Sequence, residues 1–134
     1  MWNRCSAGLI AITLIGCRPK GPPEDTPYKI AAEDFSLAYC SRAFSDGCSV
    51  PEDCGIPGGF DSRVDCELRL VPYLRSCAVP AEEADPIIAE LESCAAVLDA
   101  ASCDESLCDG GPLDTDPCLG LFTTLSGYCT FEGL

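Results

Sequence analysis

Twelve cysteines in a chain of 134 residues constrain this sequence more than any other feature. Two of them, Cys5 and Cys17, belong to an N-terminal stretch unlike the rest. Ten remain: Cys40, Cys48, Cys54, Cys66, Cys77, Cys94, Cys103, Cys108, Cys118 and Cys129. The chain has no His, and no two cysteines stand at C-x-x-C spacing. A zinc finger or ribbon therefore lacks its usual ligand pairs, and a thioredoxin-like redox motif is missing too. An even set of cysteines behind an export signal reads as a disulfide framework of up to five bonds. Connectivity stays open, because ten cysteines allow roughly 945 pairings.

The N-terminus carries the parts of an export signal. Met1 to Arg4 form a short basic region, and Ala7 to Ile15 an apolar run well below the ~20 residues that span a bilayer. Cleavage after Gly16 would place Leu14 at a position where ordinary signal peptidase sites need a small residue. The four residues Leu14-Ile15-Gly16-Cys17 instead closely resemble the lipobox of bacterial lipoproteins. That resemblance implies a signal peptide over 1–16 and a Cys17 that carries covalent lipid and becomes the new N-terminus. It implies a bacterial envelope location, with the chain held on a membrane by its acyl chains. Arg18, where Asp favours inner-membrane retention, points to the outer membrane rather than the inner. The Pro-rich stretch that follows, within 17–29, reads as an extended tether reaching at most about 3.1 Å per residue.

Residues 30–134 read as an acidic, disulfide-rich, all-α domain: a small stapled bundle of about four helices. Leu37, Cys40, Phe44 and Cys48 fall on one face of a first helix over about 31–45, with Gly47 as its terminator. Residues 46–61, rich in Gly and Pro, read as loop. Ser62 and Asp65 resemble a capping box ahead of Cys66, Leu70, Leu74 and Cys77, beside Val64, Leu68 and Val71. Pro72 predicts a kink or break in that helix. Asp85-Pro86 and Asp116-Pro117 each read as a cap followed by proline. Ile87, Leu91, Cys94 and Leu98 then share one face, and Cys118, Phe122, Leu125 and Cys129 another.

The Cys66/Cys77 and Cys118/Cys129 spacings are similar to those of the twin C-x9-C hairpins of mitochondrial intermembrane-space proteins. Ten residues intervene here and the export signal is bacterial, so the likeness implies a staple geometry and not membership. More loosely, the chain resembles the small acidic Cys-rich lipoproteins of myxobacteria. That resemblance implies an envelope address without an activity.

Charge narrows the function classes. The formal net charge is −14, and loss of the leader takes Arg4 but no acid, giving −15. Beyond Arg75 there is no Lys or Arg, while Asp and Glu occur twelve times. Such a field repels nucleic acid and attracts a cationic protein partner or a metal ion; a glycan partner is compatible with it. Without His, and with no base or elbow motif beside Ser41, Ser45 or Ser126, an enzyme is not expected. No resident cofactor is expected beyond the lipid, although Asp109, Asp114 and Asp116 near Gly110 and Gly111 are candidate Ca²⁺ ligands. The EF-hand pattern is not met. Two roles remain: an envelope interaction module for a protein or glycan, with Ile56 and Phe60 as candidate contacts, or a structural spacer without a ligand.

Overall fold

The computed structural model describes residues 25–48, 56, 59–103, 107–108, 110–130 and 134. The export segment, Cys17, most of the tether, Cys54 and Asp109 lie outside the described residues. Among those described, four α-helices and two 3-10 turns are the only regular elements. The helices are α1 (Pro27–Ala43), α2 (Arg63–Arg75), α3 (Ala84–Ala100) and α4 (Asp116–Leu125). This is the expected small helical bundle stapled by disulfides.

The bundle begins earlier than the sequence suggests. Thr26 caps α1, its hydroxyl accepting from the Lys29 N–H at 3.2 Å, and Pro27 opens the helix. Tyr28 is buried and donates to the Leu74 carbonyl at 2.7 Å. Residues 25–29 therefore belong to the folded domain and not to a tether. Helix α1 also buries a different face from the expected one. Tyr28, Ala31, Ala32, Phe35, Tyr39 and Cys40 line the core, a 3–4 spacing that is itself helical. Leu37 and Phe44 lie outside, 37% and 39% exposed, in a stripe with Ile30. Because α1 is apolar on two opposite sides, periodicity alone could not choose between them.

Helix α2 starts as read: the Ser62 hydroxyl accepts from the Asp65 N–H, and the Asp65 carboxylate accepts from the Asp61 N–H. Cys66, Leu70 and Leu74 face inward, whereas Val64 and Leu68 are 63% and 71% exposed. Pro72 does not break the helix, which runs on to Arg75. It lies in the last turn on the exposed side, so the Leu68 carbonyl it leaves without an N–H faces water.

The two Asp-Pro starts shift slightly. The 3-10 turn Ala81–Glu83 leads directly into α3, so Asp85 lies inside the first turn instead of capping it. There it still complements the positive end of the helix dipole. Thr115 occupies the cap position of α4, which makes Asp116 the first helical residue. Ile87, Leu91, Cys94 and Leu98 are buried as expected, and in α4 the buried set is Cys118, Leu121 and Leu125 with Phe122 partly covered.

Helix α1 packs on both α2 and α3, and α4 packs on α3. The Tyr28–Leu74 bond sets α1 and α2 antiparallel. Arg42, donating to the Asp99 carbonyl at 2.7 Å, brings the C-terminal ends of α1 and α3 together. Phe35 and Phe122 meet edge to face in the middle, with centroids 6.3 Å apart. Ser36, the one buried polar side chain among the described residues, donates to the Ala32 carbonyl.

The cysteine spacing repeats. Intervals of 8, 6, 12 and 11 residues from Cys40 to Cys77 are followed by 9, 5, 10 and 11 from Cys94 to Cys129. The disulfides obey the same repeat. Cys40–Cys66 joins α1 to α2, and Cys94–Cys118 joins α3 to α4, with Cα separations of 5.7 and 4.8 Å. Between the halves, counterpart bonds to counterpart: Cys48–Cys103 beyond the ends of α1 and α3, and Cys77–Cys129 beyond the ends of α2 and α4. Cys108 is disulfide-bonded as well. Equivalent positions of the two halves are thus bonded to each other at both ends of the bundle. The halves differ in helix faces, since the α1 stripe Ile30–Leu37 is exposed where Ala84–Leu91 of α3 is buried.

Gly47 is required where it stands. Its φ of +85° is left-handed, and a Cβ there would meet the Cys103 carbonyl oxygen at 3.0 Å. Gly120, inside α4, has no such need: a Cβ would stand 3.7 Å from Glu90 Oε1, an ordinary contact. Gly120→Ala should therefore raise stability by about 0.5–1 kcal/mol in denaturant titration, and a loss would show that the α3–α4 seam lacks room. Burial lifts the Tyr28 hydroxyl to about 12. Below pH 10 both folded and unfolded states hold that proton. Between roughly pH 10 and 12 only the folded state keeps it, so stability falls as pH rises across that window. Tyr28→Phe should cost about 1 kcal/mol at neutral pH and flatten the alkaline decline, as read from unfolding midpoints against pH.

Candidate functional site

Each helix is followed within five residues by a cysteine, and the segments after α2 and α4 are drawn together by Cys77–Cys129, Cα–Cα 5.1 Å. Around this bond opens a groove of about 420 Å³, within the size range of small-ligand sites. One wall is Tyr73, Ser76 and Ala78; the other is Ser126 to Thr130. The repeat places Ser76 and Tyr128 at equivalent positions, each directly before its cysteine.

Local chemistry explains each wall. Ser76 and Ser126 are the C-cap residues of α2 and α4. Both hydroxyls donate backwards, Ser76 to the Tyr73 carbonyl and Ser126 to the Thr123 carbonyl, each at 2.7 Å. Their free lone pairs can still accept. Tyr128 donates to the Glu83 carboxylate at 2.5 Å, and that bond raises its pKa above the usual tyrosine value. Burial raises the Tyr73 hydroxyl, and a hydrogen bond with Thr130 partly offsets the effect. Among the described residues, no charged side chain lines the groove, in a chain of net charge −14. Arg75, next to Ser76, is held by ion pairs with Asp25 and, at 2.5 Å, with Glu33.

The residues singled out from sequence fall elsewhere. Ile56 is 5% exposed and joins the core, its N–H donating to the Tyr39 hydroxyl. Phe60 is partly covered, with the Arg69 guanidinium 5.0 Å from its ring centroid. The pair thus forms a plug over the α1–α2 end and is not a joint exposed contact. Asp114 accepts from the Gly110 N–H at 2.8 Å within its own loop. Asp116 begins α4 on the exposed side. Among the described residues, no three His, Cys, Asp or Glu side chains converge to hold a metal ion, and no helix is long and apolar enough to cross a membrane.

The groove residues carried no sequence signal of their own, being ordinary Ser, Thr and Tyr. The repeated cysteine spacing was the available clue, since it makes Cys77 and Cys129 counterparts. No family model, curated protein or solved structure matches the chain.

Exposure separates the disulfides into two classes. Cys40, Cys66, Cys94 and Cys118 are fully buried, whereas Cys129, Cys48 and Cys103 are half-buried and Cys77 is 9% exposed. Graded dithiothreitol with mass-resolved alkylation should open Cys77–Cys129 and Cys48–Cys103 before the two helix–helix bonds, because exchange needs access by a thiolate. The opposite order would mean that the bundle opens globally before its ends.

Proposed function

We propose that this protein is a lipid-anchored bacterial envelope protein whose helical bundle is a non-catalytic interaction module for a protein or glycan. The observation that carries the interaction half is the uncharged groove around Cys77–Cys129 in an otherwise acidic chain. A spacer needs only an evenly charged surface, whereas the described lining of this groove is uncharged and is held by a covalent bond. The anchoring half rests on Leu14-Ile15-Gly16-Cys17 behind its apolar run, and Arg18 favours the outer membrane. With Cys17 assigned to lipid and Cys5 to the leader, an even ten cysteines remain.

Two measurements test the two halves separately. Intact mass of the membrane-extracted protein should show residues 1–16 lost and acyl mass on Cys17. An unacylated chain, or a Cys17→Ser variant that stays membrane-bound, would overturn the anchor. Capture from envelope extract with the oxidised protein should give a saturable partner, weakened about tenfold or more (about 1.4 kcal/mol) by Tyr128→Ala. Capture that is unsaturable, or unaffected by that change, would leave the groove without this role.

A further inference from the structure

We propose that the groove around Cys77–Cys129 takes an uncharged saccharide. This rests on the reading of the groove as the contact site and goes on to its ligand chemistry. Ser76 and Ser126 both line the groove, with their hydroxyls donating to the Tyr73 and Thr123 carbonyls. What they offer a ligand is acceptor lone pairs. Both also end helices, where the last carbonyls carry the partial negative charge of the helix dipole. The groove therefore calls for a ligand rich in hydrogen-bond donors.

Charge then decides which donor-rich ligand fits. An anion meets the field of a chain at −14 and finds no cation in the lining. An ammonium or guanidinium group would gain from the field, but among the described residues the lining holds no carboxylate to pair with it. Glu83, beside the groove, is taken by the Tyr128 hydroxyl. A polyol supplies O–H donors without charge. The tyrosines add to the match: Tyr73 and Tyr128 both line the groove, the Tyr128 hydroxyl is already bound to Glu83, and an aromatic ring is a surface against which the C–H face of a pyranose can lie. The open groove, about 420 Å³, is within the size range of small-ligand sites.

The test is a titration of the oxidised full chain, followed by calorimetry and by amide chemical shifts, with maltotriose, cellotriose, N,N′,N″-triacetylchitotriose and a tetralysine peptide as probes. At least one saccharide should saturate with a Kd on the order of 0.1–10 mM, with shifts at Ser76, Ser126 and Tyr128. Tyr128→Ala should weaken it about tenfold and Ser126→Ala about threefold, while Tyr128→Phe, which keeps the ring, should bind within about a factor of two of the parent. Circular dichroism and a free-thiol count confirm that each variant is folded and oxidised. Tetralysine binding in the groove with no saccharide binding would overturn the saccharide and leave the interaction module standing. Absence of saturable binding by all four probes, together with a groove-independent capture from extract, would sink both. Saccharide binding unchanged by Tyr128→Ala and Ser126→Ala would place the ligand elsewhere and overturn the assignment.

Discussion

Covalent bonds between equivalent positions hold the two halves of this bundle in register, and most of the remaining structure is arranged around them. Cys48–Cys103 closes one end and Cys77–Cys129 the other. Between them, α1 and α3 run side by side with α2 and α4 on their flanks. The bridges close stretches of 24 to 55 residues, so on the chain-entropy account each removes about 3 kcal/mol or more of unfolded-state freedom. That matters in a domain with a thin core. Small domains bury too little apolar surface to hold themselves together comfortably, and here several core positions are occupied by the cysteines themselves.

All four described arginines are engaged with other groups of the chain. Arg42 bonds the end of α3, Arg63 and Arg69 pair along α2, and Arg75 gathers Asp25 and Glu33. Arg69 also covers Phe60 and reaches the Leu134 backbone oxygen. With positive charge used for joining segments, the second half of the chain faces solvent with carboxylates unopposed. The neutral groove stands out against that background for electrostatic reasons as well as geometric ones.

Much of the fold was legible, and the failures have physical causes. The Ile87–Leu91–Cys94–Leu98 stripe was readable because α3 is apolar on one side only. Helix α1 misled because Ile30, Leu37 and Phe44 form a second apolar stripe opposite Phe35 and Tyr39, and which one is covered is a tertiary decision. Pro72 looked disruptive, yet a proline in the last exposed turn forfeits a bond that water can replace. Ile56 looked like a contact because loop residues are commonly exposed, but Tyr39 offers its N–H a buried partner. The groove was illegible residue by residue, since Tyr73 and Tyr128 are 55 positions apart and only one pairing among many brings them together. The five-cysteine spacing, written twice, was the signal that could have narrowed that choice.

The chain enters the bundle beside the groove. Asp25 is ion-paired to Arg75, the neighbour of Ser76, and Tyr28 is bonded to Leu74. Tension between an occupant of the groove and the chain arriving at Asp25 would therefore cross only one end of the molecule. The Arg75 ion pairs and the Cys77–Cys129 bond lie together at that end.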